Sequence, residues 1–164
     1  MSTTPCQKFL QNILGTWEGA GAGEYPTMPN FAFGAKSEYK RVSEKTKAHF
    51  IHTSVESWKP NKKGEIGMHY ENGFMKCSGT NELEWGLAHN FAGTEATVGT
   101  VNDDGTSAKF KSTGFGNVSY LTGTKRELTV DAASGKLQDE FWMSTHDTPM
   151  THHLSVKYNR AAKL

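Results

Sequence analysis

The sequence predicts an all-β protein, an antiparallel up-and-down barrel of about ten strands with one short N-terminal helix. Three observations carry that expectation. After Gly15, strand-length runs of alternating apolar and polar residues follow one another to the C-terminus without a second stretch of helical period. Turn-forming clusters rich in Gly, Pro, Asn, Asp and Ser separate these runs at residues 60–64, 78–81, 102–105, 134–136 and 146–149. The connections are short, so successive strands are antiparallel neighbours; closing such a meander removes its exposed edges and leaves room for a ligand cavity.

The helix is expected over residues 4–14. Thr4 supplies a hydroxyl N-cap, Pro5 occupies the first helical position where its missing N–H is harmless, and Phe9, Leu10, Ile13 and Leu14 recur at helical spacing. Its place in a barrel is as a plug at one end. Next comes Gly15-Thr16-Trp17-Glu18-Gly19-Ala20-Gly21, in which alternation puts Gly15, Trp17, Gly19 and Gly21 on one face. One large anchor among glycines suits a strand approached closely by a neighbouring backbone, a packed core or a flat ligand. Residues 47–58 show no clean apolar face, and no site is assigned there; His49 and His52 read as exposed or rim residues. No repeat, linker or low-complexity tract divides the chain, which reads as one domain over residues 1–164.

Composition limits the partners. Eighteen basic and 17 acidic residues are interspersed, for a formal net charge of +1, so no basic field for nucleic acid and no polybasic membrane anchor is expected. Cys6 and Cys77 lack metal-type spacing and secretory context and read as free thiols in a reducing compartment. The first residues carry no apolar run of signal-peptide length, so the expected location is the cytoplasm, extending to the nucleus. Paired Cys-x-x-Cys and His-Glu-x-x-His spacings are absent, and a structural zinc site is not expected.

Read together, Gly15-Thr16-Trp17-Glu18-Gly19-Ala20-Gly21, Tyr25-Pro26-Thr27, Met68-His69-Tyr70-Glu71-Asn72-Gly73-Phe74, Met143-Ser144-Thr145 and Thr151-His152-His153-Leu154 resemble the motifs of the nitrobindins. These are small haem-binding proteins with a fold akin to fatty-acid-binding proteins, and the resemblance extends from Leu14 to Tyr158. It implies one ferric haem b per chain, with His153, the histidine before Leu, as axial ligand to iron. It also implies a haem cavity lined by Thr27, Met68, His69, His89 and Met143. Residues 38–57 depart from the family pattern, and Ala88-His89 stands where members often carry Ala-Gln.

The two terminal histidines set alternation against resemblance. Alternation groups His152 with Leu154, Val156 and Tyr158, the apolar set expected inward, and leaves His153 with Thr151, Ser155 and Lys157. The resemblance selects His153. A bulge or rim position after Pro149 would reconcile the two. Taken without the resemblance, Thr27 is a turn hydroxyl after Pro26, Met68 and Met143 are core-type methionines, and His69 and His89 are strand histidines.

The activity implied by the resemblance is binding of nitric oxide and isomerisation of peroxynitrite to nitrate, in a monomer or a homodimer. Two other classes compete with it: a carrier of a fatty acid or other apolar ligand, and a haem-based nitric oxide sensor or store without catalysis. Against the carrier, the C-terminal stretch lacks the Arg-x-Tyr pair that grips a carboxylate in fatty-acid-binding proteins.

Overall fold

The computed structural model describes residues 2–43, 50–65 and 67–162; His49 lies outside them. Among the described residues one helix, α1 (Pro5–Ile13), precedes ten strands: β1 (Gly15–Tyr25), β2 (Met28–Arg41), β3 (Phe50–Trp58), β4 (Gly67–Cys77), β5 (Glu82–His89), β6 (Thr94–Val101), β7 (Ser107–Gly116), β8 (Leu121–Asp131), β9 (Lys136–Thr145) and β10 (Thr151–Arg160). Every strand pairs antiparallel with its sequence neighbour, and β1 pairs with β10 to close the barrel. The all-β barrel with a helical plug is as expected from the sequence.

Local chemistry explains the ends of these elements. Thr4 Oγ1 accepts from the Gln7 amide at 3.3 Å while Gln7 Oε1 accepts from the Thr4 amide at 3.1 Å, a reciprocal capping box with Pro5 at the first helical position. At the other end of the helix, Gly15 has φ of +126°, a conformation that L side chains rarely adopt, and this sharp exit turns the chain directly into β1. The five turn clusters fall between β3 and β4, β4 and β5, β6 and β7, β8 and β9, and β9 and β10.

The helix seals one end. Its Cys6, Phe9, Leu10 and Ile13 are buried against Trp17, Ile51, Met75, Trp85, Phe110 and Leu128 among others, which fill that half of the barrel. Trp17 is fully buried, donates Nε1–H to the Ile13 carbonyl at 2.8 Å and lies 4.1 Å under the Arg160 guanidinium. Arg160 in turn donates to the carbonyl of Asn12 at 3.0 Å, tying β10 to the end of the helix. The Gly-Trp motif is thus the anchor of the closed end.

Cys6 and Cys77, read from spacing as free thiols, are instead joined in a disulfide between α1 and the end of β4. The two lie 71 residues apart, a separation that carries no pairing signal; the barrel itself sets their Cα atoms at 5.9 Å. The Cys6 amide donates to the Thr80 carbonyl at 3.0 Å, fixing the helix over the β4–β5 turn.

Candidate functional site

At the end opposite α1, the barrel encloses a cavity of about 360 Å³. Its wall is mainly apolar, with Phe31, Phe33, Phe115, Phe141, Met143 and Leu154 among the side chains, and its mouth carries Met28, Phe91 and Tyr120, which are exposed. The glycines of β1 shape one side. A Cβ at Gly21 would collide with the Phe33 ring and one at Gly23 with the Phe31 ring, so the missing side chains let both aromatic rings lie flat across β1.

Bulges put one histidine and one methionine into this cavity. Along β10 and β9, His152 pairs with Trp142 and Leu154 with Phe141, leaving His153 as the extra residue. His153 and Leu154 consequently both line the cavity, ahead of Val156 and Tyr158. Strict alternation, which would have sent His152 inward, fails at this point. In the same way Ser57 pairs with His69 and Trp58 with Gly67, so Met68 is the extra residue of β4 and lines the cavity together with His69.

The His153 ring meets Tyr25, Phe31 and Phe141 at centroid separations of 5.2, 6.1 and 6.3 Å. Its Nδ1 lies 3.0 Å from the Glu24 carbonyl oxygen, which can only accept, so Nδ1 carries the proton and Nε2 keeps its lone pair. Burial lowers the pKa of His153 despite that hydrogen bond, which favours the neutral imidazole. His152 points outward, with Nε2 at 2.6 Å from Glu140 and Nδ1 at 3.2 Å from Glu24; burial opposes its charge, but the two carboxylates raise its pKa.

The floor of the cavity is charged. Arg126 donates to Glu71 Oε1 at 2.7 Å, and its Nε lies 3.4 Å from Asp139 Oδ1 without hydrogen-bond geometry. Its guanidinium also lies 5.0 Å from the Trp85 ring and 5.2 Å from that of Phe141. Burial pushes the Glu71 carboxyl up, but Arg126 and His69 more than offset it and hold the group well below the usual carboxylate range. For Asp139 burial wins over the attraction of Arg126, and its pKa rises to about 6. Beside them, His89 Nδ1 is 3.2 Å from His69 Nε2, His89 Nε2 is 3.3 Å from Glu95, and Thr124 donates a short hydrogen bond to Glu95.

Met68, His69, His89, Met143 and His153, singled out from the sequence, therefore share one cavity. Thr27 does not line it; it is exposed in the two-residue turn between β1 and β2, next to the mouth residue Met28. Within residues 47–58, where no site was assigned, Val55 and Ser57 do line the cavity, while His52 meets Phe74 edge to face outside. A barrel interior that holds polar side chains hides the apolar period of β3. Sequence reasoning also missed Glu71, Glu95, Arg126 and Asp139. The only local signal was charge at strand positions that alternation directs inward.

The barrel has counterparts among known proteins. The family profile described as THAP4-like, heme-binding beta-barrel domain matches residues 7–160. A protein of Arabidopsis thaliana named peroxynitrite isomerase Rv2717c is 35% identical over 148 residues, which cover 90% of this chain and 84% of that one. The peroxynitrite isomerase of Nocardia farcinica is 28% identical over 156 residues, 92% of this chain and 88% of that one. Among solved structures, Rv2717c from M. tuberculosis superposes with a TM-score of 0.81 at 22% identity, covering 98% of this chain and 100% of the other, which shows a shared fold. The match spans nearly the whole barrel, including the strands that carry the cavity histidines, and the chain belongs to the THAP4-like haem-binding β-barrel family, the nitrobindins.

Proposed function

We propose that this chain is a haem-dependent peroxynitrite isomerase that also binds nitric oxide, with one ferric haem b per chain held by His153. The observation that carries the assignment is the Nδ1 hydrogen bond of His153 to the Glu24 carbonyl, which leaves Nε2 unprotonated on an apolar cavity wall. A ring oriented by a backbone carbonyl, neutral and framed by aromatic edges, has what a histidine that would hold haem iron needs. When bound, ferric haem supplies the iron chemistry, the binding of nitric oxide and the rearrangement of peroxynitrite to nitrate.

The protein's own contribution is orientation, exclusion of water and polarity. Phe31, Phe33, Phe115 and Phe141 offer an apolar bed for a flat macrocycle. β10, which carries His153, and β5, which carries His89, are five strands apart in a ten-stranded ring, so the two histidines stand on opposite walls. His69, the more exposed of the two rings and bonded to His89 through Nε2 alone, can then hydrogen-bond an anion on the far side from His153. The cavity is lined by one chain, which serves a monomer and a homodimer alike. As for an apolar-ligand carrier, the cavity's Arg126 is already compensated by Glu71 and Asp139 and is not free to grip a carboxylate.

Reconstitution with hemin tests the proposal. Wild type should give a stoichiometric Soret band and a five-coordinate histidine signature by resonance Raman. His153→Ala should lose that signature and most haem affinity, whereas His152→Ala should keep both. Retention of the histidine signature by His153→Ala would overturn the axial assignment, and hemin failing to bind wild type would overturn the function.

A further inference from the structure

From the geometry of His69, Glu71 and His89 we infer a second site in the cavity, one that takes a tetrahedral divalent cation of the zinc class with its fourth position open to the cavity. The three candidate donor atoms are His69 Nε2, His89 Nδ1 and Glu71 Oε2. They are separated by 3.2 Å between the two imidazoles, 3.5 Å from His69 to Glu71 and 3.7 Å from His89 to Glu71. Tetrahedral ligands held about 2.0–2.1 Å from zinc lie about 3.3–3.4 Å apart. An octahedral ion at similar distance needs neighbouring donors only about 3.0 Å apart, so the spacing favours the tetrahedral class. Two imidazoles and one carboxylate, with a fourth position left for water or a small anion, is a known open zinc donor set.

The surroundings match what such a site requires. With Nδ1 turned to the ion, the other nitrogen of His89 faces Glu95 at 3.3 Å, the carboxylate–imidazole pairing that fixes the tautomer of a metal-bound histidine. Glu71 divides its oxygens unequally: Oε1 accepts from Arg126 at 2.7 Å, whereas Oε2, which faces the imidazoles, accepts from Arg126 only at 3.4 Å. Glu71 and Asp139 pair with the Arg126 guanidinium and Glu95 faces the His89 ring, so three buried carboxylates stand beside one guanidinium and the cluster has room for a cation. The two facing ring nitrogens are close enough for one N–H to bridge them. His69 and Glu71 stand two apart on β4 and His89 on the paired β5, where Glu71 and His89 are direct register partners. The site therefore rests on adjacent strands of a rigid ladder.

This inference does not rest on haem binding. The test is titration of the full chain, freed of haem and metals, with Co(II) followed by Zn(II). We expect the intense visible d–d bands of tetrahedral Co(II), saturating at one equivalent and bleached by Zn(II). His89→Gln and His69→Asn should each weaken Co(II) binding at least tenfold, and Glu95→Gln about tenfold through the orientation of His89. His153→Ala should leave the Co(II) titration unchanged, which separates this site from the haem proposal. Far-ultraviolet circular dichroism of each variant, and a Zn(II)-dependent rise in melting temperature confined to chains that bind Co(II), guard against misfolding. Weak octahedral-type bands, or tetrahedral binding unaffected by both histidine substitutions, would overturn the site.

Discussion

Glu71 and Asp139 both approach Arg126, yet their removal should move stability in opposite directions. The Asp139 pKa rises from 3.8 to about 6, a difference of about 2 units and so about 3 kcal/mol at 1.36 kcal/mol per unit. Since the folded state holds its proton more tightly than the unfolded chain, this group favours folding fully below pH 3.8. That contribution is lost as pH rises through about 6. Asp139→Asn, which mimics the protonated form, should therefore stabilise the protein by about 1–3 kcal/mol at pH 7.5 and by almost nothing near pH 3.8. Glu71 has the opposite sign. Its depressed pKa contributes stability above the ordinary 4.5 that is lost as pH falls below it. Glu71→Gln leaves Arg126 with only the poorly aligned Asp139 at 3.4 Å, and should cost about 3–5 kcal/mol at pH 7.5. Urea unfolding of haem-free protein in chelator at pH 7.5 and pH 4, with the double variant closing the cycle, measures both. A loss above about 1 kcal/mol for Asp139→Asn at pH 7.5, or the same gain at both pH values, would refute the reasoning.

Other outcomes follow from single contacts. Thiol titration of unreduced protein should find neither Cys6 nor Cys77 reactive, and Cys77→Ser should lower unfolding free energy by about 4 kcal/mol, from the entropy of a loop closed across 71 residues. Gly23→Ala should push the Phe31 ring into the cavity, costing about 1–3 kcal/mol in stability and lowering hemin affinity; Phe31→Leu should restore part of both. His152→Gln should cost less than about 1 kcal/mol, because the ion pairs are partly exposed. That cost should be present below pH 6.5, where the raised pKa favours the folded state, and fade as pH rises through the folded-state value, seen as melting temperatures converging at high pH.

What the chain alone determined is local. Thr4 and Pro5 set the start of the helix, Gly15 its exit, and the Asn, Asp, Gly and Pro clusters the turns, because each acts within a few residues through a cap, a fixed φ or an allowed positive φ. Short turns between alternating runs then left an antiparallel barrel as the natural closed solution. Motif resemblance supplied the cavity residues Met68, His69, His89, Met143 and His153. Only tertiary structure decided the rest. One bulge placed His153 rather than His152 inside, since a single extra residue in β10 reverses the face of all that precede it. The Cys6–Cys77 bond spans 71 residues and the Arg126–Glu71 pair 55. Neither leaves a periodic trace in sequence, because the contact exists only once the sheet has curled round and brought distant strands across the same interior.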